Sequence, residues 1–407
     1  MKYGIGGKKV VLGVCGGIAA YKAVEIVRGL RKMDVMVRVI MTENASWFVG
    51  PMTFHALTGL PVFSGLFSEK DDACFKHIEW AQDADIVVIA PATANMIGKL
   101  ANGIADDALS TFMLAATCPK ILCPSMNSNM YENRAVQRNL DILESDGYTV
   151  IEPGTGELAC GTTGPGRLPE PELILDRIIK HLTRKDFLGK KVLVTAGPTQ
   201  EPMDPVRFVS NPSSGKMGYA IARAAEHRGA EVTLVTGPTR LADPVNVRII
   251  NVRTAEEMAS AVFFHMDHAN IIIKSAAVSD YRPKKKSLQK IKKDCADLMV
   301  EFEKTQDILK TLGQKKQKRI LVGFAAETQD LEQNACKKLA EKNADLIVGN
   351  IVGKPGTGFG SETNEVTFFY RNGRVEPLAS MEKDDLAHLL LDRIISLNPA
   401  IEEISDA

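Results

Sequence analysis

The sequence predicts an α/β fold with two doubly wound, mostly parallel-sheet, Rossmann-like domains. Short apolar segments alternate with amphipathic helical segments along the chain, which is typical of βαβ units. This alternation restarts at residues 190–196 (KKVLVTA), after the polar stretch 183–189 (TRKDFLG). The length of 407 residues favours more than one domain, and either half is long enough to bury its own core. We predict a first domain over residues 1–184, a linker over 185–189 and a second domain over 190–407.

The first half contains apolar segments of strand length and helical segments with one apolar face. The segment 86–90 is apolar throughout, as expected for a strand that is buried on both faces of a sheet. The predicted strands cover residues 9–14, 35–41, 86–90, 119–123 and 148–151, and the predicted helices cover residues 18–32, 106–116, 129–145 and 170–182.

The second half repeats this pattern and ends with a small antiparallel addition. Asn372-Gly373 lies between the apolar segments 365–369 and 374–377, and Asn-Gly is a strong signal for a tight β-hairpin turn. The other predicted strands cover residues 190–196, 231–235, 270–274, 319–324 and 345–348, and the predicted helices cover residues 215–228, 255–265 and 330–342.

Composition excludes several classes of protein. The chain has 50 basic and 50 acidic residues, so no net charge attracts it to nucleic acid or to an anionic membrane. The first apolar run, VVLGVC, is too short for a signal peptide, and no segment reaches the ~20 apolar residues of a membrane span. We expect a cytoplasmic protein. The seven cysteines include no C-x-x-C pair, which argues against a disulfide framework and a zinc site.

A glycine turn follows the first predicted strand. Residues 13–18 (GVCGGI) would let backbone N–H groups approach a phosphate at the start of a helix. The spacing is not that of the dinucleotide fingerprint G-x-G-x-x-G. A tight turn without a ligand is therefore an equal alternative for this motif.

Three further loops carry polar or small residues after a strand or at the start of a helix. They are residues 90–95 (APATAN), 105–111 (ADDALST) and 124–130 (PSMNSNM). Each loop taken singly is also explained by helix capping. Ligands of open parallel sheets bind beyond the carboxyl ends of the strands. Three such loops at one sheet edge therefore predict a site for a planar ring or a phosphate.

The motifs PATAN, PSMNSNM and LACG (residues 158–161) resemble those of the flavin-containing cysteine decarboxylases, in particular the phosphopantothenoylcysteine decarboxylases. The resemblance spans the first half and implies a flavodoxin-like domain that binds FMN. For Thr42, a helix N-cap is an equal alternative to a contact with the flavin phosphate. The implied flavin contacts are Gly16, Gly17, Ile18, Thr42, Ala92, Thr93, Asn95 and Ser110.

The same resemblance implies a reaction and its residues. The substrate thiol is oxidised to a thioaldehyde with FMN, CO₂ leaves, and the enethiol is reduced to give 4'-phosphopantetheine. Asn127 would hold the substrate carboxylate, with Met130 also in contact with the substrate. His77 would assist proton transfer, and Cys160 would donate the last proton. The glycine-rich stretch 154–166 predicts a mobile flap over the substrate. Singly, His77 fits a surface residue and Cys160 a packing residue, but their joint pattern favours the site.

An anion site is predicted at residues 210–218 (SNPSSGKMG) of the second half. This segment is P-loop-like in outline, but Ser210 stands at the first glycine position and Met217 replaces the Ser or Thr that binds Mg²⁺. A Walker A motif is therefore rejected, and the hydroxyls of Ser213 and Ser214 remain at a helix N-terminus. The lysine-rich stretch 284–293 fits either a solvated face or the cations that a triphosphate needs.

The motifs SNPSSGKMG, AAVSDYRP (residues 276–283) and GFAAET (323–328) resemble those of the phosphopantothenate–cysteine ligases, over most of the second half. The resemblance implies that the carboxylate of 4'-phosphopantothenate attacks CTP to form an acyl-cytidylate and pyrophosphate, and that the amine of cysteine then displaces CMP. Asn211 would hold the acyl-cytidylate, Lys290 would neutralise phosphate charge, and Asp280 would bind Mg²⁺ or the nucleotide.

The implied nucleotide contacts lie on several loops of the second half. The family usually has proline at the position of Gln306, so this chain departs from the pattern there. Related flavoproteins form trimers and the ligases form dimers, which implies a homo-oligomer. The contact positions are Ser213, Ser214, Gly215, Ala276, Ala277, Val278, Asp280, Lys290, Gln306, Asp307, Ile308, Leu309, Phe324, Lys338 and Lys342.

Three alternative functions fit the sequence less well than this interpretation. A flavin prenyltransferase or flavoprotein reductase with a nucleotide-binding appendage shares the fold, but has no need for Cys160 and Asn127 together. A non-catalytic regulatory subunit is disfavoured because both His77 and Cys160 are present. An NAD-dependent dehydrogenase is disfavoured because G-x-G-x-x-G follows neither first strand.

Overall fold

A computed structural model describes residues 4–65, 76–159, 161–292, 298–352 and 360–397, with only the backbone described for Lys76 and His77. The chain folds as two compact units, Met1–Thr183 and Arg184–Ala407.

The first unit contains a parallel sheet made of β1 (Lys9–Val14), β2 (Met36–Met41), β3 (Ile86–Ala92), β4 (Lys120–Pro124) and β5 (Tyr148–Val150). The strand order is β2–β1–β3–β4–β5, which is the flavodoxin-like order. The strands β6 (Gly154–Glu157) and β7 (Thr163–Arg167) pair as an antiparallel hairpin.

Helices flank this sheet, and apolar residues are buried on both of its faces. Along β1, Leu12 packs in one core cluster while Val11 packs in the other. Short 3-10 turns cover Ile18–Tyr21 and Glu43–Trp47. The α-helices are α1 (Lys22–Lys32), α2 (Pro51–Thr58), α3 (Lys76–Asp83), α4 (Ala94–Ala101), α5 (Ala108–Ala115), α6 (Ser128–Tyr131), α7 (Arg134–Ser145) and α8 (Pro171–Leu182).

One predicted helix of the first unit is divided in two. The sequence pattern predicts a continuous helix over residues 129–145, whereas α6 ends at Tyr131 and α7 begins at Arg134. The side-chain oxygen of Asn133 accepts a hydrogen bond from the N–H of Ala135 at 2.9 Å. This N-cap starts a new helix, because an Asn side chain competes with the backbone for helical N–H groups.

The second unit contains a mixed sheet in the order β12–β11–β8–β13–β16–β17–β19–β20. Its strands are β8 (Lys191–Ala196), β11 (Glu231–Thr236), β12 (Arg248–Asn251), β13 (Ile271–Lys274), β16 (Ile320–Glu327), β17 (Leu346–Ile351), β19 (Thr367–Tyr370) and β20 (Val375–Pro377). The first six strands of this order are parallel, β19 runs antiparallel to β17, and β20 runs antiparallel to β19. The Tyr370 N–H donates to the Arg374 carbonyl at 2.9 Å across the Asn372-Gly373 turn, which confirms the predicted hairpin and antiparallel addition.

Short strand pairs and five further helices complete the described part of this unit. The strands β9 (Gln200–Pro202) and β10 (Phe208–Ser210) pair with each other, as do β14 (Tyr281–Pro283) with β15 (Phe302–Lys304) and β18 (Thr363–Asn364) with β21 (Met381–Glu382). The helices are α9 (Lys216–His227), α10 (Ala255–His265), α11 (Ile308–Lys315), α12 (Leu331–Glu341) and α13 (Lys383–Ser396).

The segment predicted as a linker packs against the second unit. Phe187 is fully buried in the core of that unit, and the Arg228 guanidinium lies 4.9 Å from the centre of its ring. Arg228 also bonds to Asp186 and Asp392. The polar sequence around Phe187 hides this packing, because its partner Arg228 lies at the end of α9, far along the chain.

Within the described ranges, no helix combines the length and apolar character needed to cross a membrane.

Candidate functional site

A cavity of about 1080 Å³ lies where the strands of the first sheet end. The loops after β1, β2, β3 and β4 all contribute to it, as expected for a ligand site at the carboxyl edge of a parallel sheet. It brings together eight predicted residues: Gly16, Gly17, Ile18, Thr42, Thr93, Asn95, Asn127 and Met130.

The glycine turn and Thr42 form one end of this cavity. A Cβ on Gly16 would lie 2.5 Å from Cβ of Asn44, so only glycine allows this close approach. The Thr42 N–H donates to the Val14 carbonyl at 3.0 Å. Thr42 precedes the 3-10 turn Glu43–Trp47, but its side chain does not cap it. Its hydroxyl is buried and has no partner among the described residues, which fits a hydrogen bond to a ligand phosphate.

Thr93 and Asn127 lie on the loops after β3 and β4. The Thr93 hydroxyl caps α4 by accepting the Met96 N–H at 3.4 Å. The side-chain oxygen of Asn127 accepts the Asn129 N–H at 2.9 Å and caps α6. A ligand carboxylate needs a hydrogen-bond donor, and the amide nitrogen is the donor group of the Asn127 side chain.

Two predicted flavin contacts, Ala92 and Ser110, do not line this cavity. Both side chains are fully buried. The Ser110 hydroxyl accepts the Asp107 N–H at 3.1 Å as part of a capping box at the start of α5. For Ser110 the structure therefore supports the capping alternative. Ala92 ends β3 and packs in the apolar core.

Lys99 and its two carboxylate partners line the cavity but were not predicted from the sequence. The Lys99 amine lies 2.6 Å from the Asp106 carboxylate and 2.7 Å from that of Asp107. Burial alone lowers the pKa of Lys99, but the hydrogen bonds to both carboxylates outweigh it and raise the pKa overall. No sequence pattern pairs them, because the lysine and the acids lie on different elements.

The cysteine and histidine predicted to be catalytic fall largely outside what the structure describes. Cys160 is not among the described residues, and of His77 only the backbone is described, in the first turn of α3. The predicted flap corresponds to the β6–β7 hairpin, from which Glu157 and Arg167 line the cavity. Cys15 lies nearby, but burial raises the pKa of its thiol to about 12, so this cysteine is unsuited to nucleophilic chemistry.

A second cavity, of about 550 Å³, lies in the second unit near the carboxyl ends of β13 and β16. It is lined by loops after these strands and by residues of α11 and α12. It brings together eight predicted residues: Val278, Asp280, Gln306, Asp307, Ile308, Leu309, Lys338 and Lys342.

Of the five lysines that line this second cavity, three show how different their electrostatic settings are. The Lys342 amine pairs with Asp307 at 2.7 Å. Lys338 donates to the Phe324 carbonyl at 2.9 Å, and burial lowers its pKa. Lys274 donates to the Ala276 carbonyl at 3.3 Å; burial, with a smaller effect of the Lys338 charge, lowers its pKa to about 8. Lys274 was not predicted, although a lysine that ends the apolar run of β13 was a visible signal.

The remaining predicted residues of the second half do not line this cavity. The Asn211 amide nitrogen donates to the Ala277 carbonyl at 3.0 Å, which holds the loop before α9 against the loop after β13. Gly215, with φ of 78°, is the N-cap of α9. Lys290 is exposed on the segment after β14. The other predicted contacts outside the lining are Ser213, Ser214, Ala276, Ala277 and Phe324.

No dedicated metal centre is present in the described parts of the chain, which hold no group of three or more His, Cys, Asp and Glu side chains placed for a metal ion. Asp280 is exposed at the second cavity, so its binding of Mg²⁺ stays a prediction.

The fold and cavities define a class: a two-unit α/β protein with one large cavity at the carboxyl edge of each of its two main sheets. The family described as Flavoprotein matches residues 2–183. The family described as DNA/pantothenate metabolism flavoprotein C-terminal domain matches residues 187–397.

Full-length relatives identify the family. The chain is 48% identical to the coenzyme A biosynthesis bifunctional protein CoaBC of Bacillus subtilis (strain 168), over 98% of this chain and 99% of the relative. It is 44% identical to the protein of that name from Escherichia coli (strain K12), over 96% of this chain and 98% of the relative. The chain belongs to this family of bifunctional coenzyme A biosynthesis enzymes, which confirms the family resemblance of both halves.

A solved structure, of the C-terminal domain of a coenzyme A biosynthesis bifunctional protein CoaBC, is 45% identical in sequence. The match covers 52% of this chain and 97% of the solved chain, with a TM-score of 0.46.

Proposed function

We propose that the second unit joins 4'-phosphopantothenate to cysteine with CTP, and that the first unit decarboxylates the resulting 4'-phosphopantothenoylcysteine to 4'-phosphopantetheine. The observation that carries this proposal is the presence of two separate cavities, one at the carboxyl edge of each sheet. Membership in a family of bifunctional coenzyme A enzymes supports two chemistries in one chain. We assign the decarboxylase to residues 1–184 and the ligase to residues 190–407.

The first cavity fits FMN. The buried, unpartnered hydroxyl of Thr42 and the backbone of Gly16 and Gly17 would hold its phosphate. Thr93 and Asn95 line the same cavity and would border the ring. When bound, FMN supplies the two-electron oxidation of the substrate thiol that makes loss of CO₂ possible.

The residues of the first unit would bind the substrate and move protons. The Asn127 amide nitrogen would hold the substrate carboxylate, and a neutral donor leaves CO₂ free to depart. Met130 lines the same cavity and would contact the substrate. His77 would accept a proton at the thiol, and Cys160 would return one to the enethiol carbon.

The second cavity would hold CTP and Mg²⁺. The amines of Lys338 and Lys342 would neutralise phosphate charge, with Lys290 acting where charge develops during attack. The segment 306–309 would contact the nucleoside. Asp280 would bind Mg²⁺, which needs few protein ligands because phosphate oxygens and waters complete its octahedral shell. Asn211 would hold the acyl-cytidylate. We further propose that the protein is a homo-oligomer, as the resemblance implies.

A coupled assay tests both halves. Purified protein with 4'-phosphopantothenate, cysteine and Mg²⁺ should release pyrophosphate with CTP, and CO₂ should follow. ATP in place of CTP serves as the comparison for nucleotide choice. The protein should bind FMN and turn yellow. A protein that stays colourless with excess FMN would contradict the first assignment, and no release of pyrophosphate from any nucleotide would contradict the second.

A further inference from the structure

A buried carboxylate lies in the turn between β9 and β10. The Asp204 side chain is fully buried, and its Oδ1 accepts the N–H groups of Val206 and Arg207, both at 2.7 Å. Burial raises the pKa of this carboxyl, but the backbone hydrogen bonds outweigh it and lower the pKa overall, so the group is ionised near neutral pH. Oδ2 lies 3.9 Å from the Arg207 guanidinium, which is too far for a hydrogen bond.

The second oxygen of this carboxylate reaches another part of the chain. Oδ2 of Asp204 accepts the N–H of Ile291 at 3.1 Å, across 87 positions of sequence. Ile291 directly follows Lys290. Beside this bond, the Met203 carbonyl accepts the N–H of Ser287 at 2.9 Å. Two hydrogen bonds from one turn therefore hold the backbone of the lysine-rich segment 284–292.

The same turn leads into the loop that carries Asn211. The strand β10, which follows the turn, pairs with β9 and ends at Ser210. The Ser210 hydroxyl donates to the Thr199 carbonyl at 2.7 Å, and the Asn211 amide donates to the Ala277 carbonyl at 3.0 Å. The chain that follows the turn thus fixes Asn211 to the sheet edge, while the turn itself holds the backbone next to Lys290.

We propose that Asp204 is a positioning residue of the ligase reaction, which places the Lys290 backbone relative to the Asn211 loop. This inference rests on the function proposed for Lys290. The Lys290 side chain is exposed, as are most residues from 284 to 290, so the segment has little packing of its own to hold it. A charge-assisted bond from a buried carboxylate supplies that restraint.

The Asp204 carboxylate has two roles: it holds its own turn, and it holds the backbone at Ile291. The variant Asp204→Asn separates these roles. Asparagine keeps one oxygen for the Val206 and Arg207 N–H groups, but its NH₂ group cannot accept the Ile291 N–H. We expect kcat for pyrophosphate release to fall on the order of 10²-fold, since misplacement by about 1 Å costs that much. The KM for CTP should change far less, and decarboxylation by the other half of the chain should stay unchanged.

A matched control breaks a similar bond elsewhere in the same unit. The Asp345 carboxylate also accepts a backbone N–H from another strand, that of Leu321 at 2.9 Å, but at the amino edge of the sheet. Asp345→Asn should keep kcat. Ile291→Pro removes the same N–H from the other side and should reproduce the Asp204→Asn loss, which covers the case in which Asp204→Asn fails to fold.

A double-mutant cycle distinguishes positioning from general damage. If Asp204 acts through Lys290, adding Asp204→Asn to Lys290→Gln should cause no further loss of pyrophosphate release. Additive losses, or a wild-type rate in Asp204→Asn while Lys290→Gln is impaired, would overturn the inference. A wild-type rate in Lys290→Gln alone would instead overturn the role proposed for Lys290, and the inference with it.

Discussion

At the scale of one residue, Lys274 shows how burial changes the charge state of a side chain. It ends the fully apolar stretch of β13 and faces the second cavity. Burial and the nearby Lys338 lower its pKa to about 8, so it is mostly charged at pH 7 and mostly neutral at pH 9. A cation at this place favours an anionic ligand, and its loss weakens binding.

This titration predicts a pH dependence. Between pH 7 and pH 9 the KM for CTP should rise roughly tenfold, because a hydrogen bond to a charged group is worth about 1.5–3 kcal/mol. Lys274→Met should have a high KM at pH 7 and a flatter profile, measured by initial rates of pyrophosphate release. Lys318→Met removes the same charge from an exposed lysine just before β16, at the opposite edge of the sheet, and should keep the wild-type profile. An equally steep profile in Lys274→Met would contradict the assignment.

Protonation of Lys274 affects folding and binding in opposite directions: it favours CTP binding but disfavours folding. The ordinary pKa of lysine, 10.5, is higher than that of folded Lys274, so the unfolded chain binds this proton more tightly. The cost of burying the charge is therefore present below about pH 8 and is relieved as pH rises toward 10.5. Charge at Lys274 opposes folding while it serves binding, which is typical of a functional group.

Cys160 carries a second prediction at this scale. Cys160→Ala should release CO₂ but fail to form 4'-phosphopantetheine, because the proton donor for the enethiol is lost. Product analysis by mass spectrometry together with CO₂ release checks this. Cys336→Ala replaces an exposed cysteine of the other unit and serves as the control. Product formation at the wild-type rate in Cys160→Ala would show that this role is wrong.

The β6–β7 hairpin illustrates how one element positions another. Gly166 has φ of 138°, and a Cβ there would lie 2.1 Å from the Met126 carbonyl oxygen. The Met126 N–H in turn donates to the Gly166 carbonyl at 3.0 Å. The hairpin is thus bound to the loop that carries Asn127, at a distance that only glycine permits.

Gly166→Ala should therefore displace the Asn127 loop. We expect decarboxylation to fall by more than tenfold while pyrophosphate release by the ligase half stays unchanged. Gly154→Ala is the matched control in the same hairpin, because its Cβ would meet neighbours only at 3.8 Å or more. The measurement is the rate of CO₂ release from supplied 4'-phosphopantothenoylcysteine. Equal rates in the two variants would contradict the role of Gly166 in placing the Asn127 loop.

Element boundaries were predictable where periodicity was strong. The strand over residues 9–14 and the helix over 255–265 are observed with the predicted limits. By contrast, α4 and α11 were not predicted. Both are eight-residue helices whose starts depend on side-chain caps, by Thr93 and Asp307, inside segments that the sequence marks only as loops. Short helices depend on packing and capping more than on their own pattern.

At the scale of the whole molecule, the two units have separate cores. Phe187 belongs to the core of the second unit although it lies close in sequence to Thr183, the last residue of the first unit. Phe187→Ala should destabilise only the second unit, by about 3–5 kcal/mol, as for other buried aromatic residues. Calorimetry of the full chain should show that the unfolding temperature of one transition falls. Release of FMN, which reports unfolding of the first unit, should occur at the wild-type temperature.

Leu188→Ala provides the comparison for this experiment, because the neighbouring side chain is 66% exposed. It should leave both transitions unchanged. A Phe187→Ala variant in which FMN is released at a lower temperature would contradict the separate cores.

The sequence by itself determined the α/β class, the family, and which strand-end loops carry polar residues, because hydrophobic period and short motifs are local properties of a chain. Only the tertiary structure decided which of those residues meet. It gathers Thr42, Thr93 and Asn127 around one cavity, leaves Ser110 as a cap, and adds Lys99 and Lys274. Contacts between elements far apart in sequence follow from sheet order and packing, which no local pattern encodes.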